Sequence, residues 1–456
     1  MSSKTLIKNG YIVTMDARRQ VFPGGFVCIE GDRIAEVGPS GARWPDAAFD
    51  QVVDATGAIV IPGLINMHQH PWYNLFKGLS EGCKISDWWT NFFWPLTTRV
   101  TDPADVRASS FLAGLEMVRT GTTCFLNHIV TDTDEPMIAA FAESFGEVGL
   151  RQVLAKELRP HHMEAMQAVE SLVRRWDGWR GGMLHMALAI EVNARWRNAG
   201  TTNDEVVTRG TRLAREAGLC ITSHAGAGPG QRDVTYLNSL GVLESRWILA
   251  HGSGLTDEDI HMVADSGATV VSCPTAEAFR GSGVARIPEL RLAGANVALG
   301  TDGPMVDYSV DMLEQTKACS LIQNLLNSDA RAVDAEAALA MATINAAKAL
   351  GLADELGSIE AGKKADIAVF NLDTPYSAVV NKPISSLVYS AKATDVSTVL
   401  VNGTIVFRDG RFSTVSQERE GQIIREAEER SRCIQVEMMR QQGAAASIDG
   451  KEGKLR

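Results

Sequence analysis

Eight short apolar runs, separated by helix-length segments, constrain this chain more than any other feature. The runs are Ile59–Asn66, Thr123–Asn127, Arg151–Ala155, His185–Ile190, Cys220–Ser223, Trp247–Ala250, Thr269–Ser272 and Asn296–Gly300. Between most of them lie amphipathic stretches such as Pro103–Thr120, Asp204–Ala217, Asp257–Ser266 and Asp334–Leu350. Strand-then-helix units repeated eight times predict an α/β fold, a (β/α)8 TIM barrel spanning 61–356. An open doubly wound sheet would need a Gly-rich phosphate loop after its first strand. The first run here leads instead into His68-Gln69-His70.

The ends of the chain read differently. Tyr11–Met15, Gly25–Glu30, Ile34–Val37 and Val52–Ala55 are strand-like, and so are Ala365–Phe370, Thr398–Val401 and Thr404–Arg408. Asn402-Gly403 is a tight hairpin signal between the last two. Residues 1–60 and 357–415 are therefore expected to build one small composite β-sandwich. Residues 416–456 read as a C-terminal helix to 442, packed by Ile423, Ile424 and Ile434, followed by a frayed tail.

Composition narrows the function classes. The net charge is -11, which argues against a nucleic-acid or anionic-membrane partner. Lys363-Lys364, the most basic short stretch, reads as solvated surface. No run of 18 apolar residues exists and the N-terminus lacks a signal-peptide core, so no membrane span is expected. Seven scattered cysteines suggest buried free thiols and a cytoplasmic location.

In a barrel, residues at the C-terminal ends of the strands converge on one mouth. His68 and His70 close strand one, His224 strand five, His251 strand six and Asp302 strand eight. Neutral imidazoles with one carboxylate suit one divalent ion, with Zn expected and Fe, Mn or Co served by the same ligands. Any one of these residues alone would pass as a strand-end hydrogen-bonding group.

Several segments carry a resemblance. Pro62-Gly63-Leu64-Ile65-Asn66-Met67-His68-Gln69-His70 resembles the first-strand signature of the amidohydrolase superfamily. Leu249-Ala250-His251-Gly252 and Gly300-Thr301-Asp302-Gly303 are similar to its sixth- and eighth-strand signatures. Gly357–Asp366 resembles its return into the sandwich. The style is that of the aminohydrolases and chlorohydrolases of nucleobases and triazines. The resemblance implies that His68, His70, His224 and Asp302 hold the metal, with His251 beside the activated water or the substrate oxygen. Such an ion lowers the pKa of water to about 7. Asp302 would then take a proton and His251 would steady an oxyanion.

Two departures bear on the substrate. Deaminases of this branch carry a Glu three residues after the strand-five His, where this chain reads His224-Ala225-Gly226-Ala227. That acid protonates a ring nitrogen, which a carbonyl substrate does not require. Strand four ends in Ile190-Glu191-Val192-Asn193, making Glu191 a candidate substrate contact, a proton shuttle or a group that supports the ligands from behind. It also lacks the Lys that bridges two metals in the binuclear branch; Lys156, ending strand three, is a weaker candidate for that task. The expected reaction is hydrolysis of a small hydrophobic or aromatic urea, carbamate, thiocarbamate or amide, as in phenylurea hydrolases and molinate hydrolase. The alternatives are a nucleobase or triazine deaminase or chlorohydrolase, its acid moved to Glu191 or Glu157, and a non-catalytic metal-binding scaffold.

Four of the nine tryptophans fall in 72–94, directly after the metal motif. Trp72, Trp88 and Trp89 are candidate substrate contacts in an apolar first loop, which could equally pack on the rim or on a second copy in a homo-oligomer. His128, ending strand two, is a further candidate contact. His161-His162 reads as surface, His185 as structural and His261 as solvated.

Overall fold

The computed structural model describes residues 3–40, 45–97, 102–131, 134–228 and 230–452. Eight parallel strands run in sequential order: Leu64–Gln69, Thr122–His128, Arg151–Glu157, Leu184–Ala189, Ile221–Ala225, Trp247–His251, Thr269–Ser272 and Asn296–Leu299. The strands are almost wholly buried, as parallel strands covered by helices must be. Strand eight returns to strand one through side chains and a short bridge. Asn66 Nδ2 donates to Thr301 Oγ1 (2.8 Å), Asp302 N donates to His68 O (2.9 Å), and Gln69 pairs with Asp302. This nearly closed barrel brings the first and last motifs side by side.

The two ends of the chain supply a separate nine-stranded sheet, in which Ala58–Pro62 pairs with Lys4–Val13 on one side and Ile367–Asn371 on the other. The run expected as a single strand from Ile59 to Asn66 is thus two strands in two sheets. Gly63 is the break. Its N–H donates to Asp366 O, and a Cβ there would lie 2.0 Å from Thr123 Oγ1, so no side chain fits between the sheets. The Asn402-Gly403 hairpin forms as read, with φ of 51° and 75° at the two positions.

Three further expectations are corrected. The segment 334–350 is two helices, Ala335–Met341 and Ile344–Ala349, parted at Thr343 (φ -135°, ψ -99°). The C-terminal helix runs Gln417–Glu452, past the expected end at 442; residues 453–456 of the expected tail lie outside the described residues. It packs through Ile423 and Ile434, while Ile424 faces outward. Lys363 and Lys364 are tied into the turn and only partly exposed. Lys363 Nζ donates to Ala353 O and Ser358 Oγ, and Lys364 pairs with Asp32. These bonds secure the turn that re-enters the terminal sheet.

No disulfide joins the cysteines, four of which are buried. No helix among the described residues is long and apolar enough to cross a membrane.

Candidate active site

The strand ends bring His68, His70, His128, His224 and His251 together beneath a cavity of about 480 Å³. His70 Nδ1 donates to the carbonyl of His128 (2.7 Å), and His224 Nδ1 donates to Glu191 Oε1 (2.8 Å). Each bond fixes the tautomer and leaves Nε2 as a lone-pair donor. The two freed Nε2 atoms face each other at 3.3 Å. His68 is fully buried, and neither of its ring nitrogens has a protein partner. Asp302 Oδ1 lies 3.4 Å from His70 Nε2 and 3.8 Å from His68 Nε2. Three imidazole nitrogens and one carboxylate oxygen thus converge without satisfying one another. A divalent cation resolves that arrangement, and these residues fit one.

The electrostatics agree. Burial, and then the neighbouring imidazoles, hold His68 well below the usual histidine range, so it is a neutral donor. Burial alone would raise Asp302, but Arg280 and then His251 pull it below the usual carboxylate range. Burial acts likewise on Glu191, where His224 and the hydrogen bond from His128 prevail and keep it ionised.

Local backbone geometry makes the approach close. His251 and Asp302 both have positive φ, 81° and 61°, a conformation rare for side-chain-bearing residues. At Gly303 a Cβ would sit 1.9 Å from the Tyr73 ring. The Gly-Thr-Asp-Gly motif is therefore a packing requirement as well as a ligand carrier.

The remaining candidates divide. Trp88 and Trp89 are on the cavity wall, together with Tyr73, Phe93 and Trp196. Trp72, His128 and Glu191, expected as candidate contacts, do not line it, and Glu191 takes the supporting place instead. Trp72 is 2% exposed and packs edge-to-face behind Tyr73, with ring centroids 4.2 Å apart. His128 Nε2 donates to Glu191 Oε1 (2.7 Å), and its Nδ1 meets Thr222 Oγ1 (3.1 Å), so both nitrogens are occupied. Glu191 is the buried brace of His128 and His224. Lys156 is hydrogen-bonded to Glu157 O and sits beside His162, and Glu157 is paired with Arg159 (2.8 Å). His161 and His261 are exposed, as read, and His185 lies partly buried at the start of its strand.

Several residues in or behind the wall escaped the sequence reading. The short helix Pro274–Arg280 after strand seven carries Glu277, whose carboxylate lies 3.6 Å from His251 Nδ1, and Arg280, whose Nη2 is 3.0 Å from Asp302 Oδ2. Asn193, Arg195 and Trp196 come from the loop and helix after strand four. Gln231 Oε1 accepts from Asn193 Nδ2 and from the Ala227 N–H, which fixes Ala227 at the wall. None of these belongs to a spacing pattern.

Residues 59–406 match the model of the Amidohydrolase family. The chain belongs to that family. It is accordingly a hydrolase of the amidohydrolase type, a class that acts on carbon–nitrogen bonds. A 5-methylthioadenosine/S-adenosylhomocysteine deaminase from Moorella thermoacetica is 32% identical over 428 residues, covering 91% of this chain and 96% of that one. One from Desulforudis audaxviator is 30% identical, covering 94% and 99%. Among solved structures, a zinc-bound adenosine deaminase from Xanthomonas campestris superposes with a TM-score of 0.85 at 25% identity, covering 95% and 99%. A zinc complex of an atrazine chlorohydrolase from Arthrobacter aurescens reaches 0.83 at 23% identity, covering 93% and 100%, and shows the shared fold. These amidohydrolase relatives stand nearer to the deaminase and chlorohydrolase alternative than to the urea and thiocarbamate reading.

Proposed function

We propose that this chain hydrolyses a small, flat, aromatic molecule at an sp² carbon, releasing an amine or a comparable leaving group in the manner of a deaminase or chlorohydrolase. His68, His70, His224 and Asp302 hold one divalent ion, with zinc expected, in a cytoplasmic enzyme. The observation that carries the reading is the convergence of their free ring nitrogens and carboxylate oxygen at the floor of an aromatic cavity. The ion supplies a water activated near neutral pH. Asp302 accepts the proton and returns it to the leaving group. His251 Nε2, 3.9 Å from Asp302 Oδ2, steadies negative charge on the atom attached to the reacting carbon. Trp88, Trp89, Phe93 and Trp196 clasp the flat body and exclude water. The kinship with deaminases along nearly the whole chain supports this class.

One observation favours a second reading, hydrolysis of a urea, carbamate, thiocarbamate or amide. Ala227 lies at the wall where the branch's deaminases carry their acid, and Asp302 is the one carboxylate on the wall among the described residues. Glu191 and Glu157 are engaged elsewhere. A carbonyl carbon is electrophilic without a protonated ring. The two readings separate on one panel: metal-loaded enzyme with aminated purines, amino- and chlorotriazines, phenylureas and thiocarbamates. Ammonia or chloride from the heterocycles supports the first, and aniline or secondary amine from the others supports the second. No turnover on any member would contradict both.

Trp88→Ala and Trp89→Ala are expected to raise KM about threefold to tenfold with kcat retained, because a stacking surface binds ground and transition states alike. Steady-state kinetics on the turned-over compound checks this. An unchanged KM would assign the two rings to packing alone.

A further inference from the structure

The chain carries a net charge of -11, yet its cavity has a cationic wall. Two guanidiniums, Arg195 and Arg280, stand in it against a single carboxylate, Asp302. Arg280 is mostly buried, and its partner there is Asp302. Arg195 lies over the face of Trp89 at 5.6 Å, with no carboxylate partner among the described residues. The two cations act on each other: burial and then Arg280 hold Arg195 below the usual arginine range. Two like charges that face one aromatic cavity favour an anion between them. A divalent ion on the four ligands would add further positive charge and would compete with Arg280 for Asp302.

We propose that Arg195 and Arg280 form an anion subsite, and that the natural substrate is a flat aromatic molecule bearing a carboxylate. The aromatic body lies among Trp88, Trp89, Phe93 and Trp196, and the carboxylate meets the guanidiniums, which match it in planarity and charge. Arg195, on the exposed side of the helix Ala194–Asn198, holds the end toward the mouth. Arg280, beside Asp302, holds the end toward the reacting carbon. The subsite rests on the reading above only in taking this cavity as the place where substrate binds.

Calorimetric titration of the zinc-loaded enzyme with benzoate and with benzamide tests it without turnover. The two probes share a ring and differ in charge. Benzoate is expected to bind about tenfold more tightly, the scale of a charge-assisted hydrogen bond. The preference should fall toward unity in Arg195→Gln with Arg280→Gln. Arg195→Gln alone, which disturbs no buried side chain, should already reduce it. No preference in the wild-type enzyme would overturn the proposal. A preference that survives both substitutions would place the carboxylate on the metal and overturn it equally. A failure of the substrate panel leaves this titration readable, and a failure here leaves the hydrolytic reading standing.

Discussion

Asp302→Asn is expected to lower kcat about a thousandfold while the protein stays folded. The size follows from the loss of a positioned proton acceptor. Asn keeps the shape of the side chain but cannot take a proton from water or pass one to a leaving group. Its oxygen can still face His68 and His70, so part of the metal affinity should survive. The other side of the carboxylate faces Arg280 at 3.0 Å, and that guanidinium loses its charged partner. Metal content and melting temperature should therefore be measured beside kcat. A variant that retains metal and turns over within about tenfold of wild type would remove Asp302 from the chemistry.

Asp366→Ala is expected to destabilise the protein by about 3–5 kcal/mol, the cost of stranding a buried charge. Arg151 opens the third barrel strand and is 2% exposed. Its Nε and Nη2 donate to both oxygens of Asp366, at 3.1 Å and 3.0 Å, and Asp366 also accepts the Asn402 N–H at 2.7 Å. One carboxylate thus ties the barrel to the terminal sheet and to its hairpin. Burial would lower Arg151, and Asp366 more than offsets it; without Asp366 the burial cost is left uncompensated, while a guanidinium still keeps its proton at neutral pH. Urea unfolding reads the loss as a lower midpoint at constant slope. A loss below about 1 kcal/mol would mean that water or Asn402 satisfies Arg151 instead.

The barrel strands were legible because each couples a short apolar run to a polar strand end. Thr269–Ser272 was read with its observed bounds, and most others within a residue or two. The terminal sheet was legible from its alternation and its Asn-Gly turn. The division at Gly63 was not, because an apolar run looks the same whether it feeds one sheet or two. What decides it is the Thr123 side chain, 60 residues on, which leaves no room for a Cβ at Gly63. The break at Thr343 was hidden for a similar reason, inside an Ala-rich helical pattern.

At the site, His68, His70, His224, His251 and Asp302 announced themselves by ending strands. Arg280 and Glu277 did not. They lie in one short helix whose orientation is set by strand seven and by the bonds from Ser272 Oγ and Cys273 N to the Glu277 carboxylate. Glu191 was visible as a strand-end acid with a supporting role among its options, but its two partners, His128 and His224, were not, since they depend on three strands meeting. Trp72 and Trp88 looked alike in sequence. The short turn Pro71–Phe76 sends Trp72 behind Tyr73, while Trp88 reaches the cavity.

The central claim is that one divalent ion sits among His68, His70, His224 and Asp302. Metal analysis of the purified protein tests it most directly, on wild type and on His68→Ala with His70→Ala. The wild-type chain should carry about one equivalent of a divalent transition metal, as a site of this donor set does. The double variant should be folded and nearly metal-free. Equal metal in the two proteins would contradict the account, and so would a wild-type chain that stays empty after dialysis against zinc.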